Sequence, residues 1–257
     1  MRTFSSFPFD TPRTALSPRR REAALVCILG AAGVVAIAGL LVEVAGFAPR
    51  VMVAALLPFG IVAAVVLARV DRFHPHATFG PANRVTVARA ALNCVLIGLL
   101  ADPTTLRTAW AEGWGWSMVA VATLSLALDG LDGYAARRSG IASGFGARFD
   151  VEVDALLLVM LAALAVVLEK AGPWVLASGG LYYGFLLARR TWPVLRQPLP
   201  PAPWRKLIFV LQATALLAIA LPVVAPPWSF GIALGALTLL TAGFVVDLRW
   251  LLRHDPR

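Results

Sequence analysis

The chain has 257 residues, 59% hydrophobic and only 14% charged, with a mean hydropathy of +0.78 and a formal net charge of +9. A soluble domain of this length carries far more charge, so the composition excludes an ordinary water-soluble enzyme and points to an all-α, polytopic membrane protein. The two cysteines, Cys27 and Cys94, both fall inside apolar runs and read as small core residues rather than a disulfide or a metal pair.

Residues 1–22, rich in Ser, Pro and Arg, read as a disordered basic arm. A spanning helix needs about 20 apolar residues. Eight segments approach that length: Ala23–Phe47, Val51–Ala68, Val85–Ala101, Trp114–Leu128, Phe149–Leu168, Trp174–Ala188, Leu207–Val224 and Trp228–Trp250. Trp114–Leu128 is short unless its helix continues into the charged residues that follow. The first pair, residues 23–69, forms a transmembrane hairpin closed by AGFAPRV. The polar connector RVDRFHPHATFGPANR separates it from a second unit, residues 79–257, that holds the other six helices. His74 and His76 flank Pro75 in that connector and read as ordinary loop residues. QPLPPAPW, residues 197–204, is a Pro-rich loop between the sixth and seventh spans.

The charge follows the same segmentation. With a cytoplasmic N-terminus and alternating spans, only Arg50, Arg107 and Lys170 of the 23 Lys and Arg fall on the far side. That is the positive-inside pattern. It predicts a multi-pass protein of the cytoplasmic or inner membrane with both termini cytoplasmic. The basic excess then belongs to a membrane face that attracts lipid headgroups and phosphates, so no nucleic-acid partner is expected.

One stretch breaks the apolar pattern: ALDGLDGYAARRSGIASGFGARFDVEVDALLL, residues 127–158. At helical spacing, Asp129, Asp132, Gly133, Ala136 and Arg137 share one face, and Gly146, Asp150 and Asp154 share another. The Gly- and Ser-containing RSGIASGF reads as a turn that lets both faces look into one cavity. Glu152 lies about 200° around the helix from Asp150 and is left out of the site. Four carboxylates crowded in a low-dielectric cleft repel each other, and two divalent cations would balance them. Oxygen ligands without nearby Cys or His select Mg²⁺, Mn²⁺ or Ca²⁺ over zinc. The glycines leave room for a bulky ligand, and Arg137 beside paired metals is placed to hold a phosphate. This is the pattern of a two-metal phosphoryl-transfer site.

The spacing D129-x2-D132-G133-x2-A136-R137-x8-G146-x3-D150-x3-D154 resembles the signature of the CDP-alcohol phosphatidyltransferase family at every position. Upstream, Asn83-Arg84-Val85-Thr86-Val87-Ala88-Arg89 is similar to the N-x-x-T-x-x-R segment that often opens that family's first core helix. The resemblance runs from about Phe79 to the C-terminus. It implies a six-helix core, to which the N-terminal hairpin is an addition, and usually a homodimer. It implies transfer of a phosphatidyl group from CDP-diacylglycerol to an alcohol with release of CMP, at a cavity open to the cytoplasm. By the same resemblance, Asp129, Asp132, Asp150 and Asp154 hold two Mg²⁺ or Mn²⁺, and Asp154 is also the general base. Asn83, Thr86, Gly133, Arg137 and Ser143 line the CDP-lipid site, with Ala136 and Gly146 allowing close approach.

The acceptor stays open among glycerol 3-phosphate, serine, inositol or its phosphate, choline and phosphatidylglycerol. FDVEVDALLL lacks the lysine that follows the last aspartate in many relatives using glycerophosphate or inositol phosphate. Arg189, Arg190, Arg196, Arg205 and Lys206 either grip a phosphorylated acceptor or anchor the cytoplasmic face. A divalent-cation or proton-coupled transporter is the alternative class, but it calls for acidic residues near mid-membrane on more than one segment. A silent scaffold that keeps the family fold is a third reading, against which the complete signature argues.

Overall fold

The computed structural model describes residues 16–139 and 143–254, and for residues 131–139 the backbone alone. Among the described residues the fold is entirely helical: α1 (Pro18–Ala45), α2 (Arg50–Phe73), α3 (Pro81–Leu99), α4 (Pro103–Ala109), α5 (Gly115–Ser139), α6 (Gly144–Val167), α7 (Ala177–Thr191), α8 (Pro203–Ala220) and α9 (Trp228–Arg253). Each of the eight apolar segments read from the sequence falls mostly on one of these helices, several running a few residues past its end.

The ends follow local chemistry. Ser17 caps α1 by accepting the Arg20 N–H at 3.2 Å, and Pro18 follows at the first helical position. The helix stops at Gly46, whose left-handed φ of 70° suits a residue without a Cβ. Pro81, Pro103 and Pro203 open α3, α4 and α8 in the same way. α5 does continue past Leu128 to Ser139. Short α4 and the π-turn Trp110–Trp114, which contains Gly113 at φ 105°, were not expected. Leu106, Ala109 and Trp110 are buried at spacings of three and four, so this segment is an amphipathic cap on the bundle rather than a plain loop.

On length and composition, α1, α2, α8 and α9 are able to cross a membrane. α3 with Pro103–Gly130 makes a fifth span if that pair, bent by 104°, is counted as one. The outward faces support a lipid surround: Leu25, Ile28, Leu40, Val53, Leu57 and Ile61 are all exposed on α1 and α2. The described chain is therefore a multi-pass membrane protein with four to five such spans.

Two apolar cores hold the helices together. One gathers the C-terminal part of α3 with α4, the start of α5, the C-terminal half of α6, α8 and α9. The other joins α1 and α2 to the N-terminal halves of α3 and α6. The hairpin thus packs directly on α3. Gly98 marks the contact: a Cβ there would stand 2.7 Å from both the Ala55 Cβ and the Val51 carbonyl oxygen, so α2 and α3 touch almost backbone to backbone.

At the end of the bundle away from the acidic stretch, the three cations expected on the far side, Arg50, Arg107 and Lys170, hold helix C-termini. Arg50 Nε donates to the Ala101 carbonyl at 2.9 Å, and Arg107 Nε donates to Val167 O at 2.7 Å. Lys170 reaches the carbonyls of Leu221 and Val224 beyond α8. Cations at orphan carbonyls are favourable. Asp102, buried between α3 and α4, accepts the Ala48 N–H at 2.9 Å and pairs with Arg50 at 2.9 Å. The Ala48 N–H above all, with Thr105 and Arg50 assisting, holds its carboxyl below the ordinary value. A carboxylate lowered on folding adds stability that is complete above its unfolded value near 3.9. That stability is lost as pH falls through the lowered folded value. Asp102→Asn is therefore expected to lower the melting temperature at neutral pH and to flatten its decline between pH 5 and acid, read by thermal unfolding in detergent.

Candidate active site

The site is built on α3, α5 and α6. Asn83, Thr86, Arg89 and Asn93 recur at three- and four-residue spacing along α3, and all four are buried. Arg89 is fully buried and its guanidinium is the hub. One terminal nitrogen lies 2.6 Å from Asp150 Oδ1 and 3.3 Å from Asp129 Oδ1, and the other bonds Asp154 Oδ1. Its Nε donates to the Ser125 carbonyl of α5 at 3.0 Å. Behind it, Ser125 Oγ donates to Asn93 Oδ1 at 2.7 Å, and Asn93 Nδ2 donates to Val153 O of α6 at 3.4 Å. A polar ladder thus fixes the three helices relative to one another. Buried polar groups that are satisfied in this way specify one packing arrangement.

Three of the four expected aspartates converge. Asp129 from α5 and Asp150 and Asp154 from α6 bring carboxylate oxygens within 4.8 Å of one another. Among the described side chains the buried cation that faces them is Arg89, so in formal charge three carboxylates meet one guanidinium. Lys206 of α8 approaches from outside, its Nζ 3.9 Å from Asp129 Oδ2. Hard oxygen donors, close together and short of positive charge, fit a divalent cation such as Mg²⁺ or Mn²⁺. Asp132, Gly133, Ala136 and Arg137 lie outside the residues whose side chains are described.

Three further residues expected at the CDP-lipid site meet where α3 and α6 begin. Ser143 caps α6 by accepting the Gly146 N–H at 3.0 Å. Gly146 faces Asn83: a Cβ there would lie 2.8 Å from Asn83 Oδ1. Asn83 Nδ2 donates to the Phe79 carbonyl at 2.5 Å, and Thr86, one turn on, donates to Ala82 O at 3.0 Å. Gly146→Ala is accordingly expected to push the Asn83 side chain aside. With this corner as the CDP-lipid site expected from the sequence, the apparent KM for that lipid should rise several-fold while kcat changes less, measured by initial rates of CMP release.

The connector holds this corner in place. His74 is buried and its Nε2 faces the Thr78 carbonyl at 2.8 Å, so Nε2 carries the proton and Nδ1 accepts from the Ser143 hydroxyl at 2.9 Å. Burial keeps the imidazole below its ordinary pKa, which favours this neutral form. His74 was expected to be an ordinary loop residue; it instead ties the connector to the cap of α6. Arg19 donates to the His74 and His76 carbonyls at 2.6 and 3.1 Å. Glu22 accepts the Phe79 N–H at 2.9 Å and the Arg84 Nε–H at 2.8 Å. The first turn of α1 therefore clamps the start of α3.

Of the basic residues weighed for acceptor binding, three have structural partners. Arg196 donates to the Arg189 and Arg190 carbonyls at 2.8 and 2.7 Å and so closes the end of α7. Arg189 lies over the Phe185 ring at 5.9 Å. Arg205 forks onto Asp247 of α9, with Nε 2.8 Å from Oδ2 and the terminal nitrogen 2.8 Å from Oδ1. Lys206 is the one drawn to the carboxylates. Sequence reasoning counted Arg89 among the cytoplasmic surface charges and so missed it as a site residue. The signal was present, because a guanidinium in register with Asn83, Thr86 and Asn93 on an apolar helix is too expensive to be incidental.

No curated protein and no solved structure shows significant similarity to the chain. The family model described as CDP-alcohol phosphatidyltransferase matches residues 79–246, which takes in α3 through most of α9 and with them Asp129, Asp132, Asp150 and Asp154. With helices α3, α5 and α6 bringing an acidic cluster together inside that match, the chain belongs to the CDP-alcohol phosphatidyltransferase family, membrane enzymes of phospholipid synthesis by phosphatidyl transfer.

Proposed function

We propose that the protein transfers a phosphatidyl group from CDP-diacylglycerol to an alcohol and releases CMP, on the cytoplasmic side of the membrane. The observation that carries this reading is the meeting of Asp129, Asp150 and Asp154 oxygens within 4.8 Å around one buried arginine. Asp129, Asp132, Asp150 and Asp154 would hold two Mg²⁺ or Mn²⁺. Bound there, such cations supply neutralisation of the pyrophosphate and of the departing CMP.

The chain's own groups do the rest. Asp154 takes the proton of the acceptor hydroxyl, which must already be oriented within hydrogen-bond reach, because a carboxylate is a weak base. The alcohol oxygen then bonds to the phosphorus that carries the diacylglycerol, and the P–O bond to CMP breaks. Asn83, Thr86, Ser143 and Gly146, with Gly133, Ala136 and Arg137, bind and orient the cytidine diphosphate. Arg89 holds the carboxylates in register, and Ser125 and Asn93 hold Arg89. Lys206, poised beside Asp129, would meet an anionic acceptor.

We infer that all eight long helices cross the membrane. α3 and α6 read as weak spans because they carry the polar residues of the site, and those residues point inward to one another rather than to lipid. The start of the family match at residue 79 supports a division into an arm at 1–22, a hairpin at 23–69 and a core from 79 onward. A homodimer accords with the family.

The test is to incubate the purified protein with labelled CDP-diacylglycerol, Mg²⁺ or Mn²⁺ and, in turn, glycerol 3-phosphate, serine, inositol, inositol phosphate, choline and phosphatidylglycerol. Metal-dependent CMP release with one of them names the acceptor. Chelation by EDTA is expected to abolish release, and re-addition of Mn²⁺ to restore it. CMP release that is indifferent to metal, or absent with every acceptor, would overturn the reading.

A further inference from the structure

On the side of α6 turned away from Asp150 and Asp154, a groove of about 1070 Å³ runs between α2 and α6 and reaches Tyr183 of α7. Its volume stands at the upper end of the roughly 300–1,000 Å³ typical of small-molecule pockets. The two helices run antiparallel here, the end of α2 lying beside the start of α6. The α2 wall, from Pro58 to Phe73, follows about 22 Å of helix axis at 1.5 Å per residue. Its floor is apolar, formed by Ile61, Val62, Val65 and Val66 with Val153 and Leu156 from α6.

One end is different. Arg69, Arg72 and Arg148 gather there with a single acid, Glu152. Glu152 is engaged by Arg148, one helical turn away at 3.5 Å. Among the described residues, Arg69 and Arg72 have no carboxylate partner, and Arg72 lies over the Phe73 ring at 5.3 Å. A long apolar trough ending in a surplus of guanidinium groups matches a molecule with a hydrocarbon tail and an anionic phosphate head. The α2 wall lies outside residues 79–246, so the family match does not account for this groove.

We propose that the groove holds a resident anionic phospholipid, one acyl chain laid between α2 and α6 and its phosphate among Arg69, Arg72 and Arg148. The proposal does not depend on the reaction assigned to the carboxylates. It gives the hairpin a purpose: α2 forms the outer wall of a lipid seat next to the catalytic helix α6.

The experiment uses the full chain, purified in mixed micelles with equal amounts of phosphatidylglycerol and phosphatidylcholine, and reads retained lipid by native mass spectrometry. Each basic side chain near a membrane surface is worth about fivefold in attraction to anionic lipid. The wild type is therefore expected to retain phosphatidylglycerol at least about fivefold over phosphatidylcholine. The exposed triple variant R69Q/R72Q/R148Q should lose that preference, and Val62→Trp, which fills the trough, should lose retained lipid of both kinds. CMP release measured on the same samples separates the groove from the carboxylate site. Equal retention of the two lipids by the wild type would overturn the proposal, as would an anionic preference that survives in the triple variant. Efficient disulfide cross-linking between two copies carrying Val65→Cys would also overturn it, because it would give the groove to a second copy.

Discussion

Replacing Arg89 by alanine is expected to give the largest single loss in the molecule, in both stability and turnover. The guanidinium is fully buried and holds Asp129, Asp150 and Asp154 at once. Without it, the three carboxylates face one another with no buried counter-charge among the described residues. Removing one partner of a buried ion pair costs roughly 3–5 kcal/mol. The melting temperature of the metal-free protein should fall accordingly, and Mn²⁺ should recover part of the loss by taking over the charge balance. CMP release should drop by at least about 100-fold, since displaced carboxylates no longer present a base in reach of the acceptor. Arg89→Lys separates charge from shape: an ammonium keeps the positive charge but lacks the planar fork that spans three acids and the Ser125 carbonyl. It should fold better than Arg89→Ala while remaining impaired in turnover. An Arg89→Ala protein that melts and turns over like the wild type would remove the hub from the mechanism.

Asp154→Asn should abolish turnover while binding of the cytidine lipid partly survives. The amide nearly preserves the side-chain volume but accepts no proton from the acceptor hydroxyl, a role worth about 10²–10⁴ in rate. Asp150→Asn serves as the contrast. Asp150 is assigned to metal holding without the base role, so its variant should need more Mg²⁺ or Mn²⁺ for half-maximal activity and regain part of its rate at high metal. Rates measured against metal concentration, alongside equilibrium binding of CDP-diacylglycerol, discriminate the two. Full activity of Asp154→Asn would end the base assignment, and identical metal dependence for both variants would end the division of labour.

The long helices were legible because apolar runs of about 20 residues have few other uses. The meeting of Asp129 with Asp150 and Asp154 was legible for a different reason, since helical periodicity puts the two α6 acids on one face and Asp129 lies on the helix that precedes them. What escaped notice did so on physical grounds. Arg89 looked like one more basic residue at a membrane boundary, because the value of its charge depends on acids about 40 to 65 positions away. His74 sits between exposed Phe73 and exposed Pro75, and its burial arises from packing against Phe79 and Phe145. α4 carries only two buried side chains, Leu106 and Ala109, and a Pro-Thr-Thr start, too little apolar signal to stand out from a loop. Arg189, Arg196 and Arg205 looked free to bind a ligand until their carbonyl, ring and carboxylate partners were in place.

The contact at Gly98 bears on how such a protein is able to vary. A helix that slides by one residue moves its side chains by 1.5 Å and turns them by about 100°, enough to carry Arg89 out of reach of all three acids. With the α2 main chain pressed into the notch at Gly98 on one side and the ladder through Asn93 and Ser125 on the other, α3 is keyed like a bolt in its slot. Any side chain larger than hydrogen at position 98 should lift the hairpin away and unlock that axial register. The two helices that lie before the family match are therefore a brace for the carboxylate cluster.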